Sequence, residues 1–350
     1  MASRLTLLLI TALSLQNSAA AVTDTTTTTQ PPRTPGLTEP ATAPLSPATE
    51  NGAMLTFKAH FVAKEQRAPV AYESPKGGIF FKANVAGRDV WAMLDTGAHH
   101  SLVDIAWARS AGLSISSEEE KIRSSTGEMA MHWTQDVAIL IPGQIEVRHP
   151  RLGAIDLGML STIIDRKIEF ILGQDLLSHV VLLVDPAKHI FQLGPSGSFK
   201  APPQAWSIDL QNQKPQIEVT IGKEKVLLGL NTGSNSQVEL SAGTWARVLP
   251  RDVATGTTIS AAPTGAAYAK RSALIPELGI GALKIPDVTV TEAPSRSRDD
   301  SYIGTGILGR FRLALDLNAG KLWLGSLPPP GAVNGASAEK PATSATAPSQ

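Results

Sequence analysis

The 350-residue chain predicts an all-β protein built from two homologous lobes with short helices. Three observations carry this. Landmarks recur in one order at nearly one spacing: Asp95-Thr96-Gly97 returns as Asn231-Thr232-Gly233, and Ile171-Leu172-Gly173 as Ile307-Leu308-Gly309, each 136 residues on. Between landmarks, β-branched and aromatic residues run in short stretches punctuated by Gly, Pro and Asn. Residues 92–103 then read as strand, turn, strand, with one carboxylate on the tight turn between two apolar runs.

In chain order, Arg4 precedes an apolar run at 5–15, and the small residues at 18–21 suit cleavage. The run is too short to span a bilayer, so residues 1–21 read as a secretory signal. A periplasmic or secreted protein follows, with no stable membrane insertion once the signal is removed. Residues 22–54 are Thr- and Pro-rich, with little to bury, and read as a disordered linker. Pro328-Pro329-Pro330 opens a similar tail, 328–350. The first lobe is expected at 55–196 and the second at 197–327, with the boundary in the Gly/Pro/Ser-rich stretch 194–203. There is no cysteine, which excludes disulfides, thiol chemistry and a lipid-modified cysteine. Thirty-one basic against 31 acidic residues, with no basic run, argue against nucleic acid as a partner.

Within each copy, residues 79–90 and 217–230 read as hairpins around Gly87 and Gly222. A helix is expected over 104–111, ended by Gly112. Residues 137–141 read as a continuous buried strand. Residues 180–184 and 190–193, turning at Asp185-Pro186, form a closing hairpin; 313–317 and 322–324, turning at Asn318-Ala319-Gly320, repeat it. Gly143 and Gly279, and Pro150 and Pro286, share the 136 spacing. Trp107-Ala108-Arg109 pairs with Trp245-Ala246-Arg247, and Thr126-Gly127 with Thr264-Gly265, at 138.

Leu94-Asp95-Thr96-Gly97-Ala98 followed by Ser101-Leu102-Val103, with the later run Phe170-Ile171-Leu172-Gly173-Gln174-Asp175-Leu176-Leu177, resembles the aspartic protease superfamily. The likeness is to its retropepsin-like group, in a pepsin-like duplicated arrangement. That resemblance implies a bilobal fold, with the apolar-apolar-Gly segment packed behind the active loop. It implies Asp95 and the residue at 231 at the catalytic positions, Thr96, Gly97, Thr232 and Gly233 bracing the loops, and a flap around Ser125, Thr126 and Gly127. It further implies a peptide or protein substrate and no cofactor or metal. Residues 262–267 would be the flap's counterpart.

Two carboxylates sharing one proton supply both general acid and general base to peptide hydrolysis, since like charges so close cannot both ionise. Here residue 231 is asparagine. An amide can donate a hydrogen bond to a carbonyl but cannot relay a proton. Without a like-charged neighbour, Asp95 is expected to remain an ordinary ionised acid. Three arrangements satisfy this chemistry. Asp95 could meet a second chain's Asp95 in a homodimer; it could work with Asn231 as an impaired endopeptidase; or the cleft could bind peptides without cutting them.

Competing motifs are weaker. Gly304-Thr305-Gly306-Ile307-Leu308-Gly309 has dinucleotide-fingerprint spacing, but reads as a loop entering a buried strand. His99-His100 beside Asp104 reads as adjacent strand residues on opposite faces, which do not converge on a metal. The other histidines receive no chemistry. The acidic run 118–120 reads as a solvated face, and Met129 and Met131 as one face of a strand. No Gly-x-Ser-x-Gly or Walker loop occurs.

Overall fold

A computed structural model describes residues 16–17, 58–124, 127–211, 215–261, 267–293 and 301–327. The expected signal, linker and tail, and residues 125, 126 and 262–266, lie outside the described residues, apart from Gln16–Asn17, a two-residue strand against Glu120–Ser124. The architecture is an all-β aspartic-protease-like fold. Among the described residues it has an eleven-stranded sheet in the first half, a seven-stranded sheet in the second, and a six-stranded sheet between them.

Each half starts from a hairpin whose turn is written in its residues. Strands Phe80–Val85 and Arg88–Leu94 join through Ala86 and Gly87, both at positive φ (51° and 77°), as a type I′ turn requires. Gln216–Ile221 and Glu224–Asn231 join through Gly222-Lys223, with Gly222 at 62°. The second hairpin strand of each half leads into the residue of interest: Arg88–Leu94 stops one residue before Asp95, and Glu224–Asn231 ends on Asn231. Leu94 lies beside Leu172 of the parallel strand Phe170–Leu172, which also pairs antiparallel with Leu102–Asp104. Leu230 lies beside Ile303 of the parallel strand Tyr302–Gly304, which pairs antiparallel with Val238–Leu240. Leu94, Phe170, Ile171 and Leu172 are wholly buried, so these strands can shift little without opening the core.

This pairing corrects one landmark. The part played by Ile171-Leu172-Gly173 in the first half is taken in the second by Tyr302-Ile303-Gly304. Ile307 and Leu308 lie on the short helix Thr305–Leu308, and Gly309 caps it. Short apolar triplets are common, so one of the right composition five residues along passed for the counterpart. Gly143 likewise turns with φ 71°, whereas Gly279 sits inside the strand Ala267–Ile280, and Gly281, at 57°, makes the second turn.

Helix Ile105–Ser110 forms where expected. Asp104 caps it, accepting from the Trp107 amide at 2.7 Å, and Trp107 seals its buried face. Ser241 caps Ala242–Val248 similarly, accepting from the Thr244 amide, with Trp245 buried. Strand Val137–Ile141 alternates rather than running buried throughout: Leu140 is 41% exposed, because only one face of this sheet has a core to cover.

The two closing hairpins knit the halves together. Val180–Asp185 pairs with Ile190–Pro195, Phe311–Asp316 pairs with Lys321–Ser326, and the two hairpins pair with each other from Val181–Asp316 to Val184–Leu313. Asp316, fully buried, ties the seam by accepting from the Ser196 hydroxyl and the Gly197 and Ala319 amides. One continuous apolar cluster reaches through both halves.

The second half also buries an ion pair, Lys270 with Glu239, each side chain 2% exposed. Glu239 occupies the strand position that Leu102 holds in the first half, the two lying opposite the equivalent residues Tyr302 and Ile171 respectively. Lys270→Met should therefore destabilise the fold by about 3–5 kcal/mol by stranding a buried carboxylate, and adding Glu239→Leu should restore most of that loss. Urea unfolding of the three proteins measures it.

Candidate active site

Leu94 and Leu230 deliver their chains into two short loops that meet between the halves. In the first, the Gly97 amide donates to Asp95 Oδ1 at 2.7 Å; in the second, the Gly233 amide donates to Asn231 Oδ1 at 2.9 Å. Both are side-chain-to-backbone turns of the kind Asp and Asn make readily. Asp95 is anchored further by its own amide, which donates to the Leu172 carbonyl at 3.0 Å.

The loops hold each other. Thr96 Oγ1 donates to the Leu230 carbonyl at 2.7 Å and accepts from the Thr232 amide at 3.0 Å. Reciprocally, Thr232 Oγ1 donates to the Leu94 carbonyl and accepts from the Thr96 amide, both at 3.0 Å. Asp95, Thr96, Gly97, Asn231, Thr232 and Gly233 are thus brought together.

Glycine at 97 and 233 is a matter of clearance. A Cβ on Gly97 would stand 2.7–2.8 Å from Cγ, Oδ1 and Nδ2 of Asn231, and one on Gly233 would collide with the Asp95 carboxyl. Each polar side chain therefore lies across the opposite loop's glycine. Gly173 and Gly304 serve the same end from behind: a Cβ would strike the His100 backbone at one and the Ser234 and Ser236 carbonyls at the other. Gly304 thus answers to the close approach of the chain's own backbone. The local order there is also strand followed by a four-residue helix, not a loop entering a strand.

Asp95 departs from expectation. Its side chain is completely buried, and Oδ2 has no hydrogen-bond partner. Burial lifts its pKa to about 7, against the pull of the Gly97, Gly233 and Ala98 amides. It is therefore not an ordinary ionised acid. Counting charged neighbours missed the cause, because desolvation needs none.

Of the expected flap, Ser125 and Thr126 lie outside the described residues, and Gly127 pairs with Ser124 at the end of its hairpin. His99 and His100 occupy a bend before the strand Leu102–Asp104 rather than a strand, and His100 packs edge-on to Trp133 with ring centroids 5.1 Å apart. Burial lowers the His100 pKa. Among the described residues no group of three or more His, Asp or Glu is placed to hold a metal ion.

One supporting cluster escaped the sequence reading. The Ser101 hydroxyl and amide both donate to Asp175, at 2.6 and 2.8 Å, and His149 Nε2 stands 3.4 Å from the same carboxylate. Burial raises the Asp175 pKa, but His149 and Ser101 outweigh it and hold the carboxyl below its usual range. Next to Asp175, Gln174 Nε2 donates to the Thr96 carbonyl at 2.7 Å. The available signal was an acid inside the apolar run 170–177, which must find partners once buried.

Comparison with known proteins agrees with this geometry. Residues 81–176 match the family model for aspartyl protease, which supports the aspartic protease superfamily and a protease-type chemistry acting on peptides. No curated protein matches the chain. Among the described residues no helix is long and apolar enough to cross a membrane.

Two outcomes follow for stability. Thr232→Val should cost about 2–4 kcal/mol, since it strands the Thr96 amide and the Leu94 carbonyl in the core, while Thr232→Ser should be far milder; urea unfolding separates them. A carboxyl whose folded pKa lies near 7, above its unfolded value of about 3.9, contributes stability that is complete below pH about 4 and is lost as pH rises through about 7. Relative to Asp95→Asn, wild type should accordingly lose a few kcal/mol across that window. A pH-independent difference would contradict the burial effect.

Proposed function

We propose that the chain is an exported aspartic-type endopeptidase whose cleft, formed between two homologous lobes at 55–196 and 197–327, works with a single acid. The observation that carries this is Asp95, fully buried with Oδ2 unpartnered and its pKa lifted to about 7, on a loop clamped to its counterpart.

At near-neutral pH such a group populates both protonation states, so it can act first as base and then as acid. Asp95 takes a proton from water as the water attacks the scissile carbonyl, and returns it to the leaving amine. Asn231 donates a hydrogen bond from Nδ2 to the developing oxyanion, since its Oδ1 is committed to the Gly233 amide. It cannot supply the second proton transfer, so turnover is slow compared with a two-acid site. A site completed by a second chain's Asp95 has less support, because Thr232 of the same chain already fills the partner seat at Thr96.

A second reading rests on one observation, the amide at 231. With only one acid, the cleft could hold extended peptides or proteins without cutting them.

Cleavage of a denatured casein-type substrate from acidic to neutral pH tests both readings. Wild type should show weak turnover that Asp95→Ala abolishes, and Asn231→Asp should raise it by about a hundredfold or more. Tight peptide binding without turnover in wild type, together with robust cleavage by Asn231→Asp, would favour the binding reading. An inert Asn231→Asp protein that folds normally would overturn the peptidase assignment.

A further inference from the structure

The cleft keeps every accommodation of a two-acid site while carrying one acid. Gly97 clears space for the side chain at 231, Gly233 clears space for Asp95, and the threonines lock both loops in register. Asn231 and an aspartate at 231 have the same heavy-atom shape. Nothing in the surrounding geometry would have to move if one replaced the other.

We propose that Asn231 is itself the first substrate of Asp95: hydrolysis of its side-chain amide turns residue 231 into aspartate and gives the cleft its second acid. The inference rests on the preceding reading in one respect, that Asp95 activates water.

The reaction balances with water alone. The water oxygen forms a bond to Cγ of Asn231 while one of its protons passes to Asp95. Negative charge develops on Oδ1, where the Gly233 amide already donates at 2.9 Å and acts as an oxyanion donor. The C–N bond then breaks, Asp95 returns the proton to Nδ2, and ammonia leaves. One water is consumed and one ammonia released, with no redox change.

The geometry favours this route over the usual one. Spontaneous deamidation closes a cyclic imide when the following backbone nitrogen attacks Cγ. Here that nitrogen belongs to Thr232, is 2% exposed as a residue, and donates its hydrogen to Thr96 Oγ1 at 3.0 Å. Ring closure would also twist a backbone fixed by strand pairing to Ile303 and Gly304. The imide route is closed, and the acid across the cleft remains. Asn231 Cγ and Nδ2 lie against Gly97, whose amide holds Asp95 Oδ1 at 2.7 Å, so acid and amide share one wall. A pKa near 7 keeps both base and acid forms of Asp95 populated for the two proton transfers.

The test is mass spectrometry of the full folded chain, freshly purified and then incubated over days from mildly acidic to neutral pH, in ordinary and in oxygen-18 water. Residue 231 should gain the mass of an amide-to-acid exchange, larger by one heavy oxygen in oxygen-18 water, with aspartate and no isoaspartate on fragmentation. Asp95→Asn, which keeps the shape of the site, should slow the conversion by about a hundredfold. An amide that persists at 231 at every pH would overturn the proposal. So would conversion at an equal rate in Asp95→Asn, or the appearance of isoaspartate. Asn231→Asp, assayed separately for cleavage, keeps the two readings apart: if it cuts while wild type never converts, only this inference falls.

Discussion

Four hydrogen bonds between Thr96 and Thr232 and the opposing loops hold the centre of this molecule together. Each hydroxyl donates to one carbonyl and accepts from one amide, so every bond has a mirror partner and none can be lost alone without stranding a buried group. Such reciprocity makes the arrangement all-or-none. It fixes the relative position of two side chains contributed by strands 136 residues apart. The glycines at 97 and 233 are then obligatory, because the same closeness that joins the threonines drives each polar side chain onto the opposing backbone.

The electrostatics follow from this closeness. Packing two loops face to face removes water from Asp95, and no charged partner replaces it. A buried carboxyl with only backbone amides for company resists ionisation. The second half settles its own buried charge differently, through Lys270 and Glu239, where the first half has apolar packing around Leu102. The first half instead braces its loop with Ser101, Asp175, His149 and Gln174, while the position matching Asp175 on the second short helix is Gly306. Similar backbones therefore carry unlike polar networks.

Much of this was legible beforehand. The glycine-turned hairpins, the short helix before Gly112, the closing hairpins and the loop pair at 95 and 231 all have local chemistry that shows in a few adjacent residues. What was not legible depends on distance in the chain or on solvent. The true counterpart of Ile171-Leu172-Gly173 was masked because Ile307-Leu308-Gly309 copied its letters, and only strand pairing distinguishes Ile303 from Ile307. The raised pKa of Asp95 could not be read from neighbours in sequence, since its cause is the exclusion of water by the whole fold. The Ser101–Asp175–His149 cluster joins three segments that only the tertiary structure makes adjacent.

The sheet shared by the two closing hairpins carries a consequence of its own. Strands Val180–Asp185 and Phe311–Asp316 are each other's neighbours, so neither half is self-contained: parted from the other, it would present a bare ladder of amides and carbonyls along an apolar strand. Such a seam is adhesive. A liberated first half would find its complement most readily in another copy of itself, so the covalent join between the halves acts as a guard against self-association as well as a tether.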